Sequence, residues 1–536
     1  RAILEVESLA RQALTGNQQS EQTLLIASEA VRLARASHLP VEHLAEYALR
    51  QTIARMGGKP IGAQPLLDSH TTTPRRDPFF VSAGSNSGLV SRIRGGALER
   101  IGNVPVSVSA ISADGRSIAS CASEVVVQRD WRRQTAFHVG NDAQGRCALS
   151  GDGRWLAFGD FAYDLKADHM AGSGVRLAEL WNPDFQFSSD GKWLIASSGQ
   201  DLWLWSVGAS GPERPPRLQI RSDNWAGRIA PPPSSPDNPG VTAASPPEPL
   251  PDPSLVPRAV KTGDVYVQQT IDEAVTWSGD GRWLAVASNS AAIVLDLHDP
   301  GLRTHVLDMK AESPHRLPAM LFTASSKWLI VNGQTPRAYR APSFRRGIPI
   351  GMLPVTAMAA SEDGHWLATA TEDVRVWDLR ASTPFASPRY LLRGAVSRKE
   401  TIESLGGAVR SLVFSPNGRW LISASASAEL WDLQQPDPTL APIALTLPDL
   451  TKLRFLPNPD SWFLRYWFTP DSRHLILYGA EGLNEDLPTH YALYPLEGDD
   501  LLQFASANLH RGFTDAERKW LFPEEPIASA VPAKPQ

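Results

Sequence analysis

Two hydrophobic rhythms divide this chain. Over the first 57 residues apolar side chains recur at helical spacing: Ile3, Val6, Ala10 and Ala13 with Leu14, then Leu24, Ala27, Val31 and Ala34, then Leu44, Ala48 and Ile53 with Tyr47. Steps of three and four residues gather such positions on one face of a helix, so three short amphipathic helices are expected in residues 1–57. Pro40 suits the first position of the third helix, where its missing N–H costs nothing, and Gly57-Gly58 ends it.

Past residue 100 the rhythm changes to short continuous apolar runs, each led by a tight turn. The clearest runs from Ser361 to Leu379. Asp363-Gly364 reads as the two positive-φ residues of a hairpin turn, Trp366 to Ala370 as a buried strand, Glu372-Asp373 as a polar turn, and Val374, Val376 and Leu379 as the next strand. The pattern recurs at Asp114-Gly115, Asp152-Gly153, Asp190-Gly191, Asp280-Gly281 and Asn417-Gly418, and in weaker form at Ser325-Ser326 and Asp471-Ser472. Steps between the eight copies run from about 38 to about 54 residues, with one near 90, against the 40 to 45 of propeller repeats.

A small sheet alone leaves both faces exposed, whereas stacking such sheets buries them and leaves only short edges. The expected fold is therefore mainly β: a β-propeller of about eight four-stranded blades, with seven as the alternative, preceded by a helical segment and followed by a helical tail. The expected organisation is a helical connector at 1–57, a linker at 58–77, the propeller at 78–497 and C-terminal helices and tail at 498–536. The near-90 step is explained by a proline-rich insertion at 209–262, which includes Pro231-Pro232-Pro233 and Pro246-Pro247 and has no apolar periodicity. It reads as a tolerated loop or as a docking ligand for a polyproline-binding domain. Two strands near Phe79–Gly84 and Gly88–Ile93 are candidates for the clasp that closes the ring, or for an incomplete first blade. At the other end, Leu501, Leu502, Phe504, Ala505 and Leu509 share one side of a helix, and Thr514 to Glu517 is a capping-box start for a second.

Composition removes several classes. A net charge of −5 leaves no basic footprint for nucleic acid, and no apolar run reaches the roughly 20 residues that span a bilayer. No signal peptide opens the chain, and Cys121 and Cys147 are too few for a disulfide framework. Two inert thiols in neighbouring blades and a cytoplasmic location are the expectation. No phosphate-binding Gly-x-x-x-x-Gly-Lys loop is present. Gly84-Ser85-Asn86-Ser87-Gly88 has Asn where a nucleophile elbow needs Ser, and the 12 histidines never fall at metal-ligand spacing. The repeated Asp residues are explained by turn geometry. No enzyme activity, metal or cofactor is expected.

The pairs Trp377-Asp378 and Trp431-Asp432 close their strands as the Trp-Asp dipeptide does in WD-repeat propellers, with Trp181-Asn182, Trp205-Ser206 and Leu295-Asp296 as eroded versions. Residues 100–497 resemble that family but lack its Gly-His pair, which places the family's Asp-His-Ser/Thr-Trp network in question here. Arg11 to Leu14, Leu24 to Ala34 and Ala48 to Ile53, with the tail Leu501 to Pro523, resemble the helices flanking the propeller in bacterial STAND-type signalling NTPases. That resemblance implies an effector and a nucleotide switch upstream, with the propeller holding the protein inactive until a ligand displaces it. A chain opening on Arg1 inside a helical pattern fits a piece of such a protein.

Binding is expected on loops held by the rigid scaffold, between second and third strands of the blades. The residues are Gln200 and Asp201, Asn289 and Ser290, Glu372 and Asp373, and Ala426 and Ser427. The partners would be proteins, the chain's own upstream domains included, and not nucleic acid or membrane. The competing reading is an extracytoplasmic or enzyme-accessory propeller that binds a small molecule or an assembly partner.

Overall fold

A computed structural model describes residues 2–15, 20–60, 64–65, 79–82, 88–94, 97–104, 110–112, 117–121, 124–129, 133–138, 147–167, 174–178, 180, 183–198, 201–220, 275–287, 292–307, 319–393, 409, 411–424, 428–435, 437–439, 442–445, 462–481 and 490–522. It is mainly β and built from consecutive antiparallel meanders, the construction of propeller blades. The chain divides into two compact units, one of Arg1–Gly62, Gly394–Gly407 and Arg419–Gln536, the other of Ala63–Arg393 and Ala408–Gly418.

The second unit holds seven sheets among the described residues. The strands Phe79–Ser82 and Gly88–Arg94 pair with each other and with Gln64–Pro65 and Ala97–Val104, so they form a blade of their own rather than the clasp. The next six sheets each contain one copy of the turn motif. Their second strands are apolar on both faces because each is covered from both sides. Along Trp283–Ala287, for example, Leu284 and Val286 pack with Ile195 and Leu204 of the sheet before. Trp283, Ala285 and Ala287 pack with Phe322, Leu329 and Tyr339 of the sheet after. A fully buried Leu such as Leu284 contributes about 1.5–3 kcal/mol. The sheet Asp184–Phe187, Trp193–Ser198, Asp201–Gly208 is completed by Leu218–Ile220, which pairs with Leu202 to Leu204. The expected insertion thus begins inside the sheet, and its proline-rich part, 221–274, lies outside the described residues.

The turn differs from the expected two-residue hairpin. In Ser278–Trp283 the Gly281 amide donates to Ser278 O (3.0 Å) and Ser278 N to Trp283 O (2.9 Å), so the loop has four residues and only Gly281 lies at positive φ, +70°. The reason is a side-chain network. Ser278 Oγ donates to Asp280 Oδ1 (2.6 Å), Asp280 Oδ1 accepts from Arg282 N (3.1 Å), and Trp283 N donates to Ser278 Oγ (2.8 Å). The same arrangement stands at Ser150–Trp155, Ser188–Trp193 and Ser361–Trp366. In the degenerate copies Ser326 and Ser472 hold the left-handed position, at φ +56° and +58°, that Gly fills elsewhere.

Cys121 and Cys147 are joined in a disulfide, contrary to the expectation of free thiols. The end of Ser117–Cys121 in one sheet and the residue before Ala148–Leu149 in the next lie side by side, with Cα atoms 6.3 Å apart, within bridging range.

In the first unit three helices, α1 (Ala2–Thr15), α2 (Ser20–Ala36) and α3 (Glu42–Arg55), form a bundle with two C-terminal helices, α4 (Gly498–Asn508) and α5 (Asp515–Leu521). Val6, Ala10, Leu24, Ala27, Val31, Leu49 and Ile53 meet Leu501, Phe504 and Ala505 in one core. Ile3 is instead exposed, Pro40 stands in the turn before α3, and Thr514 and Glu517 make the expected capping box. From Ala48 to Ala54 α3 is buried on all sides, because its other face lies against Ile443–Leu445 and His490–Pro495. Arg50 makes that junction: Nε donates to Leu496 O (2.7 Å), Nη2 to Glu46 Oε2 (2.6 Å), and its guanidinium lies 5.1 Å from the Trp420 ring centroid. The clasp is in this unit as well. Lys59–Pro60 pairs with Ala492 and Leu493 as the outer strand of the sheet Trp462–Phe468, His474–Glu481, His490–Pro495.

Candidate interaction surface

In a meander the second-to-third-strand loop and the exit after the fourth strand lie at one end of the sheet, and the turn motifs at the other. At the motif end, charge is organised internally. Arg154, Arg282 and Arg419 each reach across the hairpin to an Asp at the end of the third strand, Nη2 to Oδ2, at 2.8 Å: Asp164, Asp296 and Asp432. Each guanidinium also lies over the Trp that follows it, 4.6–5.1 Å from the ring centroid. Burial works against the charges on Asp164 and Asp296, yet their Arg partners and the amides of Lys166 and His298 hold both carboxyls below the ordinary Asp value. The Asp of the Trp-Asp dipeptide, or of its eroded versions, is thus an ion-pair partner. The turn-motif Asp residues serve the turns.

Part of the network that the missing Gly-His pair called into question is present. Trp377 Nε1 donates to Thr369 Oγ1 (3.0 Å) and Trp431 Nε1 to Ser423 Oγ (2.9 Å). In the sheet of Trp193–Ser198 the corresponding position is Ala196, and among the described residues the buried Trp205 Nε1 has no acceptor.

The opposite end of two adjoining sheets is more exposed. The sheets Ala319–Phe322, Trp328–Asn332, Arg337–Arg340, Ile348–Pro349 and Ala357–Ala360, Trp366–Ala370, Val374–Asp378, Tyr390–Leu392 pack through Trp328, Ile330, Ile350, Leu367, Trp377 and Phe385. Between them the chain projects Met352 and Leu353, 93% and 70% exposed. The base of this projection is held rigidly. Asn332 Nδ2 donates to Val355 O (2.7 Å), Val355 N donates to Asn332 Oδ1 (2.9 Å), and Ile350 N donates to Pro336 O (2.9 Å). Thr356 next to it bonds Ala370 O (3.1 Å) and Val409 O. An exposed Met-Leu pair on a pinned loop gains nothing for folding, and binding surfaces favour such polarizable, adaptable side chains.

Of the residues expected to contact a partner, Glu372 is exposed at this same end, and Asp373 beside it pairs with Arg393 (3.5 Å), which follows the strand Tyr390–Leu392. Asp201 is half-buried and opens Asp201–Gly208 opposite Ser198. Gln200, Asn289, Ser290, Ala426 and Ser427 lie outside the described residues. Met352, Leu353 and Asn332 went unrecognised in the sequence. The available signal was the uncharged run Ile348 to Val355 where a polar connection is the norm. Among the described residues no cluster of three His, Cys, Asp or Glu could hold a metal, and no helix is long and apolar enough to cross a membrane.

Fold and surface together define a repeat protein of propeller type with a helical bundle packed against strands of two of its sheets. The family model for the WD domain, G-beta repeat matches residues 399–432. The Drosophila melanogaster Protein LST8 homolog is 24% identical over 161 residues, covering 24% of this chain and 49% of that protein, so the chain spans about half the length of this curated relative. Among solved structures, Chaetomium thermophilum Sqt1 bound to the N-terminus of the ribosomal protein L10 is 13% identical with a TM-score of 0.42, covering 82% of this chain and all (100%) of that one. The β-propeller domain of Myceliophteria thermophila Cps50 (Swd1) is 14% identical with a TM-score of 0.34, covering 66% and 97%.

Proposed function

We propose that this chain is a non-catalytic protein-interaction platform, acting as the sensing or docking part of a larger signalling protein. The observation that carries this reading is the Met352-Leu353 projection, solvent-exposed yet clamped by Asn332 on a rigid pair of sheets. A rigid apolar knob loses little entropy on binding, the condition under which a small contact gives useful affinity. The WD-repeat match over 399–432 supports the class. The helices resembling those of STAND-type NTPases supply the signalling part of the proposal, in which α1 to α5 couple the sheets to upstream domains. Affinity capture with the whole chain, compared with a Met352→Glu, Leu353→Glu variant, tests the platform. A partner retained by the native chain and lost with the variant supports it, and no partner distinguishing the two refutes it. The coding sequence upstream of Arg1 tests the signalling assignment, which requires a nucleotide-binding domain there.

A second reading is favoured by one observation. The Cys121–Cys147 disulfide fits an oxidising compartment better than the cytoplasm. An extracytoplasmic assembly propeller would keep the same surface. Alkylation of free thiols in intact cells followed by cell fractionation separates the two: a cytoplasmic pool with both thiols alkylated supports the signalling reading, and an oxidised extracytoplasmic pool supports the second.

A further inference from the structure

The sheet beneath the Met352-Leu353 projection has an unusual charge. From Ser313 to Ser361 the chain contains no Asp or Glu, although its net charge is −5, and Lys327, Arg337, Arg340, Arg345 and Arg346 all fall within that stretch. Arg340, Arg345 and Arg346 are exposed, and among the described residues none of them meets a carboxylate. This contrasts with Arg154, Arg282 and Arg419, each paired across its hairpin. Arg337 Nη1 donates to Gly347 O (3.1 Å), fastening the turn that carries Arg345 and Arg346. Arg345 and Arg346 are thus displayed from an ordered turn and Arg340 from the end of the strand before it, 5.8 Å from the Trp328 ring centroid, and among the described residues none of the three is paired with an acidic group.

Directly after them comes the outer strand, Ile348–Pro349, with Ile348 42% exposed, and then the projecting Met352 and Leu353. Ile348 to Val355 contains no charged residue. The rim of the sheet therefore presents a cationic end at Arg345-Arg346 and an apolar end at Met352-Leu353. Five residues separate Arg346 from Met352, a span of at most about 20 Å. The outer strand pairs only two residues, and Pro349 has no N–H, so a visiting chain cannot extend the sheet by main-chain bonds. Recognition here must use side chains.

We propose that this rim is a docking surface for an acidic, amphipathic peptide segment of a partner protein. A run of Asp or Glu would lie along Arg340, Arg345 and Arg346, and two or three apolar side chains would cover Ile348, Met352 and Leu353. The proposal rests on the platform reading and adds the chemistry of the partner. Charge complementarity carries it: three exposed guanidiniums that meet no carboxylate among the described residues invite carboxylates, which they bind in bidentate fashion. Nucleic acid would need a longer basic track and a bilayer a broader apolar face, and the acidic character of the whole chain opposes both.

Fluorescence anisotropy with the full chain and a labelled synthetic peptide, an Asp/Glu block followed by Leu and Phe, tests it, with a Lys-block peptide as control. Binding of the acidic peptide alone is expected, weakening with added salt. It should fall at least about tenfold both in the pair Arg345→Glu, Arg346→Glu and in the pair Met352→Ser, Leu353→Ser. All four side chains are exposed, so unchanged denaturation midpoints verify that these variants fold. No binding of the acidic peptide, or binding that both variant pairs leave intact, overturns the proposal. Tighter, equally variant-sensitive binding to anionic lipid vesicles or to a single-stranded oligonucleotide overturns it in favour of those ligands. A captured partner that survives the rim variants overturns the rim and leaves the platform standing, whereas absence of any partner removes the platform reading itself.

Discussion

Trp205 offers the most direct test of how these sheets are held. Its indole is fully buried and its Nε1 has no acceptor among the described residues, while Trp377 and Trp431 donate to Thr369 and Ser423 from equivalent places in their sheets. Trp377 and Trp431 pair with Leu367 and Leu421, and the acceptor stands two residues further on; Trp205 pairs with Leu194, which puts Ala196 in the acceptor place. Ala196→Ser adds a single oxygen there. An unmade buried hydrogen bond costs about 1–3 kcal/mol, and a new bond returns about 1 kcal/mol net after the hydroxyl is itself desolvated. The substitution is therefore expected to stabilise by about 1 kcal/mol, a midpoint shift of about 0.3 M in urea if m is about 3 kcal/mol per M. Urea unfolding of the whole chain followed by Trp fluorescence measures it. Ser423→Ala should lose about 1–3 kcal/mol by orphaning Trp431. Trp205→Phe should cost less than Trp431→Phe, since only the latter strands a hydroxyl. A destabilised Ala196→Ser protein together with a neutral Ser423→Ala protein would refute the account, showing that packing alone sets the energetics here.

Reducing the Cys121–Cys147 bond, or the double Cys→Ser variant, should lower stability by about 3–4 kcal/mol from the loop of 26 residues it closes, read as a lower urea midpoint with reductant. Arg50→Ala should cost about 3–5 kcal/mol by leaving Leu496 O without its donor and Glu46 short of one cation, and Arg50→Lys should not restore it, because a point ammonium cannot serve both acceptors as the planar fork does; thermal unfolding followed by circular dichroism decides. Glu517 is held at about 2, against an ordinary 4.5, by Arg511 and by the Thr514 amide. A depressed carboxyl stabilises fully above its unfolded value and loses that contribution as pH falls from about 4.5 towards 2, so Glu517→Gln should be less stable than native at pH 7 and level with it near pH 2. Equal differences at both pH values would contradict the capping role.

Much of this architecture was legible along the chain. The turn repeats located the sheets because a Ser or Thr two residues before the Asp, with the backbone amides two and three residues after it, is all that the local network needs, and those spacings are fixed by covalent geometry. Helical spacing found α1 and α4 for a similar reason, since each buries a single stripe, and found α2 although its Thr23 to Ser28 are all buried. The sequence misled where burial came from a distance. Ile3 has apolar character but stays 39% exposed, α3 is wrapped on every side, and the strands proposed as a clasp pair with their own neighbours while Lys59–Pro60 takes the clasp place. Of the site, Glu372 and Asp373 were visible as a polar turn. The Met352-Leu353 projection was not, because an apolar pair in a connection reads like the start of another strand until its exposure is known.

The sequence by itself determined what depends on near neighbours: the repeat, its turns, the two-sided apolar strands and the capping box of α5. Tertiary structure alone decided which distant groups meet. It joined Cys121 to Cys147 across neighbouring sheets, set Arg50 between Leu496 and Glu46, and left Trp205 without an acceptor among the described residues. It also kept Arg345, Arg346, Met352 and Leu353 in solvent. Pattern reports a side chain's preference for water or core. Whether that preference is met depends on what packs against it, and that is a property of the whole fold.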